Sequence, residues 1–171
     1  MKAALRVDGY EGLFRAHHAR ILRLCQLLLA DRAEAEDVSQ EVFVKLLRAH
    51  REGAGAITWG PWLTRVAVNA CRDRRRSRWW RSWRAAGVEL DEMPANVRTP
   101  EEAALGREQR GRIWSAFLDL PPRQREVFVL RHLEGWSTEE VATALGLHAG
   151  SVKRHLFRAV RRVRRAVEQP T

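Results

Sequence analysis

The chain has only two cysteines, Cys25 and Cys71, far apart and without a Cys-x-x-Cys pair. That excludes a disulfide scaffold and a cysteine-built zinc site, and it suits a reducing compartment. No run of about 18 apolar residues occurs, and the opening Met1-Lys2-Ala3-Ala4-Leu5 lacks the apolar core and cleavage chemistry of a leader peptide. A cytoplasmic protein without stable membrane insertion is expected. Alternation of apolar and polar residues, the mark of a half-buried strand, is not sustained in any segment. A phosphate-cradling glycine loop, an HExxH helix and a nucleophile elbow are also missing. His17 and His18 are adjacent, so on a helix they diverge by about 100° and cannot readily share a metal. No enzyme, metal or cofactor is expected.

What is present is charge of one sign. In 171 residues, 31 Lys and Arg stand against 21 Asp and Glu, a net charge of +10, while a hydrophobic content of 45% suffices for real cores. The length allows one ordinary domain or two small ones. The charge is unevenly placed. Eight arginines and one acid, Asp73, lie between Arg65 and Arg84, interleaved with Trp79, Trp80 and Trp83. Residues 151–169 carry six more arginines, Lys153 and one acid, Glu168. Between these blocks, Glu89, Asp91, Glu92, Pro94 and Pro100 mark an acidic stretch with little apolar periodicity, which reads as a flexible linker. Two separated cationic blocks suit one extended polyanion gripped at two places; a solvated arginine face is the alternative for either block alone.

The periodic signals are helical. Leu13, Phe14, Ile21, Leu24, Cys25 and Leu28 predict a first helix over about residues 10–29. Asp31-Arg32-Ala33-Glu34 is an acidic form of the capping box, opening a second helix with Val38, Val42, Leu46 and Ala49 inward. Gly53, Gly55 and Gly60 are chain breakers, and Pro61 suits the first turn of a third helix. There Leu63, Val66, Ala67 and Ala70 face the core. Thr99-Pro100-Glu101-Glu102 caps a fourth helix carrying Leu105, Ile113, Trp114 and Phe117. Pro121-Pro122 closes it and opens a fifth, which Gly135 stops. Ser137-Thr138-Glu139-Glu140 is a second capping box, launching a short helix with Val141, Ala142 and Leu145 inward. After Gly146 a long last helix begins near Ala149, with an apolar stripe of Val152, Leu156, Val160, Val163 and Val167. The predicted architecture is all-α: two small helical domains over residues 1–86 and 100–171, joined by a linker at 87–99, the second a four-helix domain.

A short helix, a glycine turn and a helix with basic outer residues form the helix-turn-helix pattern, whose second helix enters the major groove by its amino end. Ser151, Lys153, Arg154 and His155 are the hydrogen-bonding groups of its first turns. Arg154, Arg158, Arg161, Arg162 and Arg165 follow at helical spacing along one stripe. Upstream members are placed to meet bases or phosphates; distal ones contribute charge.

Two motif sets then carry a resemblance. Leu120-Pro121-Pro122-Arg123-Gln124-Arg125-Glu126-Val127, Glu134-Gly135-Trp136-Ser137, Leu145-Gly146 and Ser151-Val152-Lys153 form one; Ala35-Glu36-Asp37-Val38-Ser39-Gln40-Glu41-Val42-Phe43 and Trp62-Leu63-Thr64-Arg65-Val66-Ala67-Val68-Asn69 form the other. Together the chain resembles the extracytoplasmic-function (ECF) sigma factors of bacterial RNA polymerase, the first set being similar to their fourth region and the second to their second region. The resemblance implies that the second helix docks on the coiled coil of the largest subunit of core polymerase through Asp37, Gln40 and Glu41, with the polymerase flap as a further expected contact of the chain. It implies that the third helix and the loop before it read the melted minus-ten strand, with Trp59, Arg65, Asn69, Arg72, Arg75 and Arg76 as the residues concerned. Minus-thirty-five recognition falls to Ser151, Lys153, Arg154, His155 and Arg158. A separate anti-sigma factor is the implied regulator.

Several positions depart from the family pattern. The tryptophans at 79, 80 and 83 could pack on the core, meet DNA or touch a membrane surface. His148 stands where a capping serine is usual, and His caps poorly. Trp62 occupies the family's core tryptophan position, whereas Trp59 is near enough to stack on a base. Two other classes of function stay open on residues alone: a stand-alone helix-turn-helix regulator, and a cationic protein of membrane surfaces.

Overall fold

The computed structural model describes the backbone of residues 2–53, 57–82 and 100–168, and the side chains of 9–53, 57–77 and 109–168. The chain forms two compact units, residues 1–91 and 92–171. The linker at 87–99, the Thr99 cap, the side chain of Leu105 and the tryptophans at 79, 80 and 83 lie outside the described set. Among the described residues all regular structure is helical.

In the first unit α1 (Lys2–Leu29), α2 (Arg32–Arg51) and α3 (Trp59–Ser82) pack pairwise into a three-helix core. The first helix begins eight residues before its predicted start at Tyr10, because the preceding residues include Ala3, Ala4 and Leu5, good helix formers without proline. The i, i+3, i+4 spacing predicted from sequence does bury Ile21, Leu24, Cys25 and Leu28 against Val38, Val42 and Leu46, with Leu63, Ala67, Val68 and Cys71 from α3 completing the core. Both cysteines are therefore buried free thiols. Phe14 meets Phe43 edge to face with centroids 4.8 Å apart, and His18 lies against both rings.

The α1–α2 turn is two residues long and passes through Ala30 in the left-handed region (φ 57°). Asp31 then accepts the Glu34 backbone N–H at 3.0 Å, which satisfies one orphan donor of α2. Glu34 Oε2 ends buried without a hydrogen-bond partner. Gly60, predicted as a breaker, is instead the second residue of α3, where Pro61 costs no hydrogen bond because first-turn N–H groups have no helical acceptor.

The second unit holds α4 (Pro100–Leu118), α5 (Pro122–His132), α6 (Thr138–Leu145) and α7 (Ala149–Glu168), with α7 packed against the other three. Its core includes Phe117, Leu120, Val127, Leu130, Val141, Leu145, Val152 and Ala159. The predicted stripe of α7 is corrected at its far end. Ala159 is fully buried, while Val167 is exposed because the helix runs past the elements it packs on.

Candidate nucleic-acid and polymerase interfaces

The turn between α6 and α7 is defined at both ends. Ser137 Oγ accepts the Glu140 N–H at 3.1 Å and Glu140 Oε2 accepts the Ser137 N–H at 2.7 Å, a complete capping box. These bonds hold the Glu140 carboxyl below its ordinary pKa, the Ser137 backbone bond first. At the other end Gly146 adopts φ 63°, the left-handed conformation that glycine enters without steric cost. The chain leaves the turn through His148, whose carbonyl accepts the N–H groups of Ser151 (2.8 Å) and Val152 (3.1 Å). α7 thus starts where expected, and His148 contributes by its backbone.

From this start α7 presents Lys153, Arg154, Arg158, Arg161, Arg162 and Arg165 to solvent. Arg154 Nη2 donates to Ser151 Oγ at 3.3 Å, joining two of the predicted contact residues. Arg164, off the predicted stripe, pairs with Glu168 at 2.9 Å. Phe157 stands on this face between the cations and is 66% exposed, a large apolar group that the sequence reading left out of the interface. His155 is placed differently from expectation. It is half-buried toward α5, and Nδ1 is buried without a partner. Burial chiefly, then Arg158, Arg123 and Arg154, push its imidazole below the usual pKa, with Glu126 opposing. Glu126 is itself almost fully buried and accepts from Arg123 at 3.0 Å.

In the first unit the outer face of α2 exposes Asp37, Gln40 and Glu41, as predicted. These line a shallow depression of about 460 Å³ that continues over Val44, Lys45 and Arg48. Arg74 of α3 was missed: it reaches across to Glu41 at 2.5 Å and Asp37 at 3.7 Å while its own side chain is only 20% exposed. On α3, Arg65, Asn69 and Arg76 are exposed, and Arg72 is half-buried. Arg75 is half-buried and donates from Nη1 to the Leu28 carbonyl at 3.3 Å, satisfying an orphan acceptor at the end of α1. Trp59 packs edge-on against Trp62 (centroids 5.6 Å, 85°) and lies 6.2 Å from the His50 ring. At the start of α3, Arg20 donates to Thr64 Oγ1 at 2.8 Å and to the Gly60 carbonyl at 3.1 Å.

A capped short helix, a left-handed glycine and a second helix with an exposed cationic row define a helix-turn-helix protein. Residues 110–163 match the family described as Sigma-70, region 4, and residues 13–81 match Sigma-70 region 2. The chain is 33% identical over 160 residues to the RNA polymerase sigma-E factor of Streptomyces antibioticus, covering 93% of this chain and 84% of that protein. It is 34% identical over 161 residues to the ECF RNA polymerase sigma factor SigM of Mycobacterium tuberculosis, covering 92% and 76%. Among solved structures, the fold is shared with the sigma factor RpoE bound to the anti-sigma factor NepR from Bartonella quintana, at TM-score 0.75, 18% identity and coverage of 96% and 99%. It is shared also with CnrH bound to the cytosolic domain of CnrY, at TM-score 0.63, 21% identity and coverage of 99% and 96%. The chain belongs to the ECF sigma factors of the sigma-70 family. It acts in promoter-directed transcription initiation, and neither the stand-alone regulator nor the membrane-surface reading is favoured beside two sigma regions in this order. Among the described residues no helix is long and apolar enough to cross a membrane.

Proposed function

We propose that this sigma factor divides its work along the lines of its two units, with limits near residues 1–86 and 100–171. α7 enters the major groove of the minus-thirty-five element by its amino end. There Ser151, Lys153 and Arg154 meet base edges and phosphates, and Arg158 and the arginines beyond hold the backbone. His155 acts at the margin of this contact, since it leans toward α5. The observation that carries this reading is the exposed arginine row of α7 following directly on a fully capped α6 and a left-handed Gly146.

The melted minus-ten strand is read by α3 and the loop before it. Asn69 offers a donor and an acceptor to an extruded base, and Arg65, Arg72 and Arg76 line the backbone. Arg75 serves mainly to close α1, and Trp59 serves mainly to pack the loop base. Core RNA polymerase binds the Asp37, Gln40 and Glu41 face through cationic groups of its largest-subunit coiled coil, and its flap is a further contact of the chain. The described sigma structures bound to an anti-sigma factor and to CnrY support a protein regulator that covers these faces here as well. The protein works in the cytoplasm, uses no cofactor and leaves covalent chemistry to the polymerase.

Run-off transcription with purified core enzyme and a promoter library tests the whole reading. Promoter-dependent transcripts are expected only when the protein is added. Absence of both transcript and core binding would refute it.

A further inference from the structure

The first turn of α3 is held by a polar fork from α1. Arg20 Nη1 reaches Thr64 Oγ1 at 2.8 Å, Arg20 Nη2 reaches the Gly60 carbonyl at 3.1 Å, and Thr64 Oγ1 donates back to that same carbonyl at 3.2 Å. Thr64 is completely buried, so its hydroxyl must be satisfied within the protein. His17, one turn before Arg20, covers the other side of this turn: a Cβ at Gly60 would lie 3.7 Å from His17 Cε1. Burial first, and the neighbouring Arg20 second, hold the His17 imidazole below its ordinary pKa.

The packing around this fork leaves a specific task for it. Beside Leu63 and Val68, the buried face of α3 is made of Ala67, Ala70 and Cys71, small side chains of shallow relief that leave part of the helix register to polar contacts. A planar guanidinium bonded at two points fixes both the rotation and the axial position of the helix end. Gly60 adjoins Trp59, which closes the loop against His50. Whatever moves Gly60 therefore moves Trp59 and the row of Arg65 and Asn69 behind it.

We propose that Arg20, acting through Thr64 and the Gly60 carbonyl, is a positioning residue for minus-ten recognition, setting where the loop and α3 are delivered against the melted strand. This rests on the minus-ten reading above. The polymerase-docking face lies on α2 and does not include the fork, so core binding and strand opening separate on substitution.

The test uses full-length protein reconstituted with core polymerase, reading open-complex formation by permanganate reactivity and core affinity by fluorescence anisotropy. Arg20→Gln and Thr64→Val are each expected to lower opening by roughly ten- to a hundredfold, as misplacement by about an ångström does, with core affinity within about twofold. Thr64→Ser keeps the hydroxyl and restores opening. The double variant Arg20→Gln/Thr64→Val is expected to be no worse than the poorer single variant, because both break one fork. Wild-type opening in both single variants, parallel loss of core affinity and opening across the Thr64 pair, or multiplicative losses in the double variant would overturn the proposal. If Arg20→Gln unfolds the first unit, the comparison of Thr64→Val with Thr64→Ser decides alone. Asn69→Ala separates the two levels. Loss of opening there, with intact opening in the fork variants, sinks only the positioning role, whereas intact opening in Asn69→Ala as well sinks the minus-ten reading itself.

Discussion

Two arginine-rich helices, α3 and α7, look alike in the sequence and are used differently in the fold. On α3, arginine is drawn inward: Arg74 bridges two carboxylates of α2 and Arg75 closes the end of α1. On α7, Arg158, Arg161, Arg162 and Arg165 are exposed and hold no carboxylate among the described residues. The difference follows from surroundings. α3 is flanked by two helices that offer a carbonyl end and an acidic face, whereas the outer side of α7 faces solvent. Arginine on α3 is thus partly architecture, and arginine on α7 is a stored charge awaiting an anion.

The contrast can be broken most sharply on α7. Replacing Arg158, Arg161, Arg162 and Arg165 together by Gln should lower minus-thirty-five affinity by roughly two orders of magnitude at low salt, at about 0.5–1 kcal/mol per contact. The slope of log affinity against log salt should flatten by about 0.9 per lost phosphate contact, while the melting temperature of the unit is kept. Titrations at several salt concentrations would decide this, and a collapsed melting temperature would mean that these arginines are structural after all.

Arg74→Gln should show the opposite signature. It removes charge-assisted bonds from a mostly buried guanidinium to two exposed carboxylates. A loss of about 1 kcal/mol in the first unit is expected after allowance for solvent screening. Chemical denaturation measures it, and minus-thirty-five binding should not change.

Within α7 the comparison sharpens further. Arg154→Ala should change which minus-thirty-five sequences are preferred, at about 1–3 kcal/mol for the affected base, while Arg165→Ala should weaken all sequences alike and reduce the salt slope by about 1. Equal, sequence-independent losses from both would erase the division between specifying and anchoring arginines.

The smallest effect concerns pH. Because the folded-state pKa of His155 is depressed, its contribution to stability is present in full above the unfolded value of about 6.5 and is lost as pH falls through the folded value. Thermal melts should therefore show the second unit weakening on mild acidification, and His155→Gln should flatten that dependence. After burial, the groups that bear on the shift are Arg158 and Arg154 on α7 and Arg123 on α5, opposed by Glu126 on α5.

Much of the architecture was legible because helical periodicity and caps are local. Ser137 and Glu140 sit three residues apart and form their box with no help from the rest of the chain. Gly146 announces a left-handed stop in the same way. The misreadings are equally instructive. Gly60 looked like a breaker because glycine usually ends helices, yet its place is within the first turn, where its carbonyl meets Arg20. Arg74, counted only as part of a cationic block, bonds Glu41 of another helix. The apolar stripe of α7 was drawn one turn too far, since a repeat in the sequence does not say where the neighbouring helices end.

The candidate interfaces divide in the same manner. Asp37, Gln40, Glu41, Lys153, Arg154 and Arg158 are exposed as their spacing required. His155 is half-buried with Nδ1 unpartnered, Arg75 is turned to the Leu28 carbonyl of a helix distant in sequence, and Arg20 and Arg125 gave no local sign of their duties. Arg125 donates to the Leu118 and Leu120 carbonyls and lies 5.7 Å over the Phe117 ring, closing the end of α4 much as Arg75 closes α1.

By itself the sequence determined that this is an all-helical protein with two cationic blocks, where most of its helices begin and stop, and most of their apolar faces. Those properties depend on side chains within one or two turns of each other. Only the tertiary structure decided which arginines are spent on carbonyls and carboxylates and which remain exposed to solvent. That choice depends on which helix end or acidic face comes to lie within a guanidinium's reach, a distance in space that spacing along the chain does not contain.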